Sequence, residues 1–298
     1  INKVISINRI VWKKILKSFR VYKNICIISD SYIPQKLSAA GMIYNLSHML
    51  VDKNINVTCA FSGIIDEDIK KKYKFDRINF INTNILPSFR NKSLIFRFCF
   101  EISTAIVLAV KCFFYFNKRK DLDLIIWYGP SAFLWIVVKA INFSKKIPVY
   151  YILRDIFPDW LISLKVVKNF YIIWLLKTLS NPQYAVSDVI GVEASENIIY
   201  LNKKGVKTKK IELLPNWPSV VFSQNNKIDY KVKHDFNNAI NSAKENNNIT
   251  FIYIGNSSIA HDYDSLVEFF DNNYELPNFQ INIFSKSNIL NTITNQSI

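Results

Sequence analysis

Pro148-Val-Tyr-Tyr-Ile-Leu-Arg-Asp-Ile-Phe-Pro-Asp-Trp160 opens as an unbroken apolar run, Val149 to Leu153, and stops on a cation and an anion side by side. A β-branched and aromatic run bounded by turn signals reads as a strand buried on both faces, the kind found in parallel sheets. In open α/β sheets, ligands collect just beyond the carboxyl ends of such strands. Arg154 offers a planar fork of donors for phosphate or carboxylate, and Asp155 accepts from sugar hydroxyls or holds Arg154 in place. Pro158 cannot sit in a central strand and suits the first turn of a helix, so the chain turns there. A structural ion pair at a strand end fits the same residues, and the rest of the chain has to discriminate.

Working outward, the same pattern recurs on both sides. Ile25 to Asp30 is a compact buried strand. A loop with Pro34 and Ala39-Ala40-Gly41 leads to a helix expected over Met42 to Leu50, and Ile55 to Phe61 is the next strand: one βαβ unit. Gly41 is placed before that helix, where backbone N–H groups receive an anion or a sugar oxygen. Arg77 to Asn82 and Leu122 to Tyr128 are further strands, the second followed by Gly129-Pro130-Ser131 and a helix to Ile141. Tyr171 to Leu179 is a helix and Asp188 to Val192 a strand. Ser195 suits the start of the next helix, which closes at Gly205, and Ile211 to Leu214 is the last strand before Pro215-Asn216-Trp217-Pro218 breaks the pattern.

Residues 1–23 form a basic amphipathic lead-in, read as a surface helix or one lying on anionic lipid. The segment from Leu94 to Phe116 is apolar but carries Arg97, Glu101 and Lys111. Charges at mid-membrane cost roughly 3 kcal/mol each, so it reads as a helix buried in the protein or lying on a membrane surface rather than a span. From Val220 to Asn248 the chain is polar and irregular. A second series then begins, with strands at Ile249 to Ile254 and Phe279 to Phe284 around a Gly255-Asn256-Ser257-Ser258 turn. One such unit cannot bury both faces of a sheet, so the second domain is expected to be incomplete. The expected organisation is a lead-in over 1–23, a Rossmann-like domain over 24–218, and a linker with a partial domain over 219–298.

Composition sets outer bounds. With 298 residues, half of them hydrophobic and 14% aromatic, the chain has ample material for cores and is not a disordered protein. The net charge of +15 favours acidic partners such as nucleotide or lipid phosphates. Aromatics are not interleaved with a basic stripe, so no nucleic-acid partner is expected. Cys26, Cys59, Cys99 and Cys112 are dispersed and read as small buried residues in a reducing compartment. With three histidines in all, no metal site is expected. His48 reads as a helix-face residue, and His261 as a loop residue facing solvent.

Four stretches together resemble family 4 glycosyltransferases of the GT-B fold, the bacterial O-antigen and capsule type that includes L-fucosamine transferases. They are Ser29-Asp30-Ser-Tyr-Ile-Pro34 with Ala40-Gly41, Arg154-Asp155-Ile-Phe-Pro158-Asp159, Asp188-Val-Ile-Gly-Val with Ser195 and Leu214-Pro-Asn216-Trp, and Tyr253-Ile-Gly255-Asn256 with Ala260-His-Asp262-Tyr-Asp264. One departure is Ser258, where the family usually has glycine; a Cβ there narrows the approach of a donor phosphate. The family's donor-binding Arg or Lys and its paired glutamates fall past Ile298.

The resemblance implies an α/β GT-B protein of two Rossmann-like domains that moves a sugar, with retention and without metal or cofactor, from a nucleoside diphosphate. A UDP-linked, N-acetylated amino sugar is the expected donor, a substrate rather than a cofactor. The expected acceptor is an undecaprenyl-diphosphate-linked saccharide on the inner face of a bacterial plasma membrane, where the protein would sit peripherally on the anionic surface. Arg154 and Asp155 would be catalytic. Gly255, Asn256 and Ser258 would bind the donor, Gly41, Gly129, Ser131 and Asp159 the acceptor, and Asn216 would be the hinge. An alternative is a GT-B remnant that binds a membrane or partner without turnover. An epimerase of the same fold would want histidine beside its carboxylates, which the scarcity of His disfavours.

Overall fold

The computed structural model describes residues 22–217, apart from 36, 74, 86–93, 120 and 130, and beyond them mainly 249–254 and 279–284. The chain divides into two compact units, residues 1–224 and 225–298. In the first, seven strands alternate with helices: β1 (Asn24–Ser29), α1 (Ser38–Val51), β2 (Asn56–Phe61), α2 (Glu67–Lys72), β3 (Ile78–Asn82), α3 (Leu94–Asn117) and β4 (Leu124–Tyr128). A 3-10 turn (Ala132–Leu134) then leads to α4 (Trp135–Ile141), β5 (Val149–Leu153), α5 (Asp159–Ser163), α6 (Phe170–Ser180), α7 (Pro182–Ala185), β6 (Val189–Val192), α8 (Ser195–Lys203) and β7 (Lys210–Leu213). The strands lie in the order β3-β2-β1-β4-β5-β6-β7, every neighbouring pair parallel.

That order follows from the apolar runs. Successive side chains of a strand point to opposite faces, so a continuous run commits both faces to burial. In β1, Ile25 and Ile27 enter one core with Ile43, Leu46 and Leu50 of α1. Cys26 and Ile28 enter the other core, with Ala105, Leu108 and Cys112 of α3 and Val137 of α4. The helix crossovers that parallel pairing requires supply both covers.

Several local expectations are revised. α1 begins at Ser38, so Gly41 lies inside the helix and its N–H donates to the Leu37 carbonyl (3.2 Å). The Ala-Ala-Gly stretch continues the turn rather than preceding it, which removes Gly41 N–H as a free donor. α8 does start at Ser195, as expected, though Ala194 is the capping position and the Ser195 hydroxyl donates to the Glu196 carboxylate. Its end at Gly205 is as expected, in a left-handed conformation (φ 74°). Cys26, Cys59 and Cys112 are buried, whereas Cys99 is exposed on the outer side of α3. His48 is held on the helix face by the Tyr44 carbonyl (3.0 Å), its ring against Tyr44.

α3 is long and apolar enough to cross a membrane by length and composition. Its Ala105, Leu108, Ala109, Cys112 and Phe116 are nonetheless packed into the second core, while Phe96, Ile106, Val110 and Phe114 face outward. In the second unit, β8 (Ile249–Ile254) and β9 (Phe279–Phe284) pair in parallel, Ile249 opposite Phe279. The basic lead-in over 1–21, His261 and the turn at Gly255, Asn256 and Ser258 lie outside the described residues.

Candidate functional site

Because all seven strands run the same way, their carboxyl ends open on one edge. The order reverses between β1 and β4: the chain leaves β1 for β2 and β3 on one side, then returns through α3 to β4 on the other. A crevice forms at such a switch point. Asp30 and Ser31 follow β1 and Gly129 and Ser131 follow β4. Beside them, Arg154 and Asp155 follow β5, Glu193 follows β6, and Asn216 and Trp217 follow β7.

Arg154 is folded into this edge, its side chain only 8% exposed. Nη1 donates to the Leu214 carbonyl (3.1 Å) and stands 3.9 Å from the Glu193 carboxylate. The guanidinium lies over the rings of Tyr128 (5.7 Å) and Trp217 (5.1 Å). Burial lowers its pKa, opposed by Tyr128, Glu193 and Tyr150. The Trp217 indole N–H donates to the Met42 carbonyl (3.1 Å) and the Tyr128 hydroxyl to Met42 Sδ (3.5 Å). Burial pushes the Tyr128 phenol up to about 12. Arg154 thus ties the end of β7 to β5 and α1, while its Nε and Nη2 have no hydrogen-bond partner among the described residues.

Asp155 differs from its neighbour. It is exposed, its carboxylate makes no ion pair or hydrogen bond among the described residues, and its pKa is raised. The protein surface on one side, which displaces water, is the main cause. Glu193 and Asp30 raise it further, while Arg97 and Arg154 pull it back. Three carboxylates from the ends of β1, β5 and β6 therefore share one electrostatic neighbourhood with two arginines. A carboxylate whose proton affinity is raised is a better base for a hydroxyl proton. Among the described residues, no group of three or more His, Cys, Asp or Glu has the geometry to hold a metal ion.

The loop carrying this pair is pinned from below. Tyr151 stacks on Trp127 (3.9 Å, 10°) and donates its hydroxyl to buried Gln183, whose amide donates back to the Phe157 carbonyl (2.8 and 3.3 Å). Gly129 sits directly over this stack: a Cβ there would stand 2.8 Å from the Tyr151 hydroxyl and 2.9 Å from its ring. Its N–H is bound to the Ile152 carbonyl. Ser131 is buried and, with Asp30, Ser62, Arg97, Glu101 and Thr104, lines a pocket between the strand ends and the start of α3.

Of the residues singled out in the sequence, Arg154, Asp155, Gly129 and Ser131 come together at this edge. Asn216 joins them, its side-chain amide donating to Glu193 (2.8 Å). Gly41 is one helical turn inside α1. Asp159 points away into an ion pair with Lys204 beside Tyr184 and Tyr200. Asp30 stood in the first of the four resembling stretches and Arg97 among the charges of the long apolar segment, but neither was given a site role, nor were Glu193 and Gln183. Asp30 and Glu193 each stand one or two residues past an apolar strand, a signal that could have found them; Gln183 gave none.

No family model and no curated protein matches the sequence. Solved structures do match the fold. Sucrose-phosphate synthase from Thermosynechococcus elongatus aligns with TM-score 0.54 at 12% identity, over 88% of this chain and 62% of that one. The UDP-GlcNAc 2-epimerase from Neisseria meningitidis, solved with UDP-GlcNAc, aligns with TM-score 0.51 at 14% identity over 91% and 68%. That from Methanocaldococcus jannaschii aligns with TM-score 0.50 at 12% identity over 92% and 68%. The chain spans about two thirds of the length of these proteins. Its fold is the Rossmann-like α/β fold of the GT-B class.

Proposed function

We propose that this chain belongs to a retaining glycosyltransferase of the family 4 kind, transferring a sugar from a nucleoside diphosphate to a lipid-diphosphate-linked saccharide in O-antigen or capsule synthesis. The observation that carries the reading is the exposed Asp155 carboxylate with its raised pKa, set among Asp30, Glu193, Arg97 and Arg154 at the switch point. In the step proposed, the acceptor oxygen forms a bond to the anomeric carbon on the face the diphosphate leaves. The bond from that carbon to the phosphate oxygen breaks with its electron pair, and the hydroxyl proton passes to Asp155 or to the departing phosphate. Asp155 orients the hydroxyl. Arg154, held rigid beneath Trp217, keeps a fixed positive charge near developing negative charge without reorganising.

Gly255, Asn256 and Ser258 would approach the donor phosphates, Ser131 and Gly129 would shape the acceptor side, and Asn216 would act as the hinge. A UDP-linked N-acetylated amino sugar is the expected donor, with an undecaprenyl-diphosphate saccharide as acceptor. The protein would lie on the cytoplasmic face of the plasma membrane, with no cofactor. The solved structures of like fold include epimerases, so the test separates the two chemistries. Protein is incubated with membranes bearing lipid-linked acceptor and a panel of UDP-sugars. Lipid extension that is lost in Asp155→Asn is expected. Conversion of UDP-GlcNAc without acceptor, and no extension with any donor, would overturn the reading.

A further inference from the structure

α6 has the wrong composition for a solvent-facing helix. A surface helix turns a polar face outward, yet here Phe170, Tyr171 and Trp174 are 73%, 77% and 60% exposed, with Ile172 and Leu175 half out beside them. Trp160, in the first turn of α5, and Leu164, just past its end, add to the same stretch. The three rings alone leave on the order of 400 Å² of apolar surface in water. A patch of a few hundred Å² is already the largest that soluble monomers ordinarily show. Only Leu176 and Ser180 of α6 are buried.

The surrounding charge selects the occupant. Between Asp159 and Asp188 the chain contains Lys165, Lys168 and Lys177, all exposed, and no acidic residue. Tyr and Trp, each with an apolar body and a polar tip, flanked in sequence by exposed lysines, match a bilayer interface. We propose that the outward face of α6, with the adjoining end of α5, docks on an anionic lipid surface through Phe170, Tyr171 and Trp174, with Lys165, Lys168 and Lys177 meeting the headgroups. The surface is distinct from the outer side of α3. It does not depend on sugar transfer. If the transfer reading holds, docking here acquires a purpose: α6 touches the 3-10 turn that follows Ser131, so a lipid-borne hydroxyl would arrive beside the crevice.

The test is sedimentation of the full chain with vesicles of phosphatidylcholine alone or with an equimolar share of phosphatidylglycerol. Binding is expected to the anionic vesicles, weakened by high salt. Phe170→Ser/Tyr171→Ser/Trp174→Ser should lower the apparent affinity about tenfold or more, with unchanged circular dichroism. Lys165→Glu/Lys168→Glu/Lys177→Glu, which leaves the rings in place, should do the same. Three results would overturn the proposal: no binding by the unaltered chain, serine variants that bind as tightly as it does, or a dimer that those variants convert to monomer while vesicle binding persists. Failure to transfer any sugar would leave these outcomes untouched, so the two proposals fail separately.

Discussion

Arg154 and Asp155 are neighbours in sequence and opposite in environment, and their replacement should have opposite consequences. Arg154→Ala removes a charge-assisted hydrogen bond to the Leu214 carbonyl, about 2 kcal/mol. It also removes contacts over two rings, about 1 kcal/mol together. Against this, the lowered pKa shows that the folded state resists the buried cation, so part of the loss is recovered on deletion. The net is about 2 kcal/mol. In a unit of this size, each kcal/mol lowers Tm by roughly 2–4 °C, so calorimetry of the full chain should record a fall of about 4–8 °C. Arg154→Lys keeps the charge but not the planar fork, and should fall between the two. A transition for Arg154→Ala within about 1 °C of the unaltered protein would refute the reasoning, because the clamp on β7 would then contribute nothing.

Asp155→Asn should abolish sugar transfer and leave the melting temperature nearly unchanged, since the carboxylate holds no structural partner among the described residues. Because its folded pKa is raised, the ionised form is disfavoured by folding. Stability therefore falls slightly as pH rises from the ordinary carboxylate range through the folded pKa, and the Asn variant should lack that slope. The transfer rate should show the complementary acid limb, falling as pH drops through the same window. Gly129→Ala should destabilise by about 1–3 kcal/mol in chemical denaturation, because the Tyr151 ring it meets is locked on Trp127. Asp159→Asn breaks a half-buried pair with Lys204 and should cost roughly 1–2 kcal/mol while sparing transfer; lost transfer with unchanged stability would restore Asp159 to the acceptor side.

The sheet was legible because a strand covered on both faces writes itself as an unbroken apolar run, and such runs stand at Ile25, Val57, Leu124 and Val149. The charged couple after Leu153 was legible for the same reason: where the run stops, the edge begins. Gly41 was misplaced because Ala-Ala-Gly is compatible with both a turn and a helical first turn, and burial against the sheet decides between them. Gln183 could not be assigned, since it acts through Tyr151, 32 positions away, and no local rule encodes that distance.

Periodicity and punctuation in the chain therefore determined the α/β class, the strand positions and the place where a ligand edge must lie. Only the tertiary structure decided which of two adjacent charges is tied down and which is left exposed. Arg154 is captured because β7, a separate strand arriving some sixty residues later, brings Leu214 and Trp217 over it. Asp155 is left in a shared field of carboxylates because the carboxyl ends of β1 and β6 arrive at the same edge. Hydrophobic burial is local enough to be written residue by residue, whereas the balance of charge at a site is set by whichever distant segments fold in beside it.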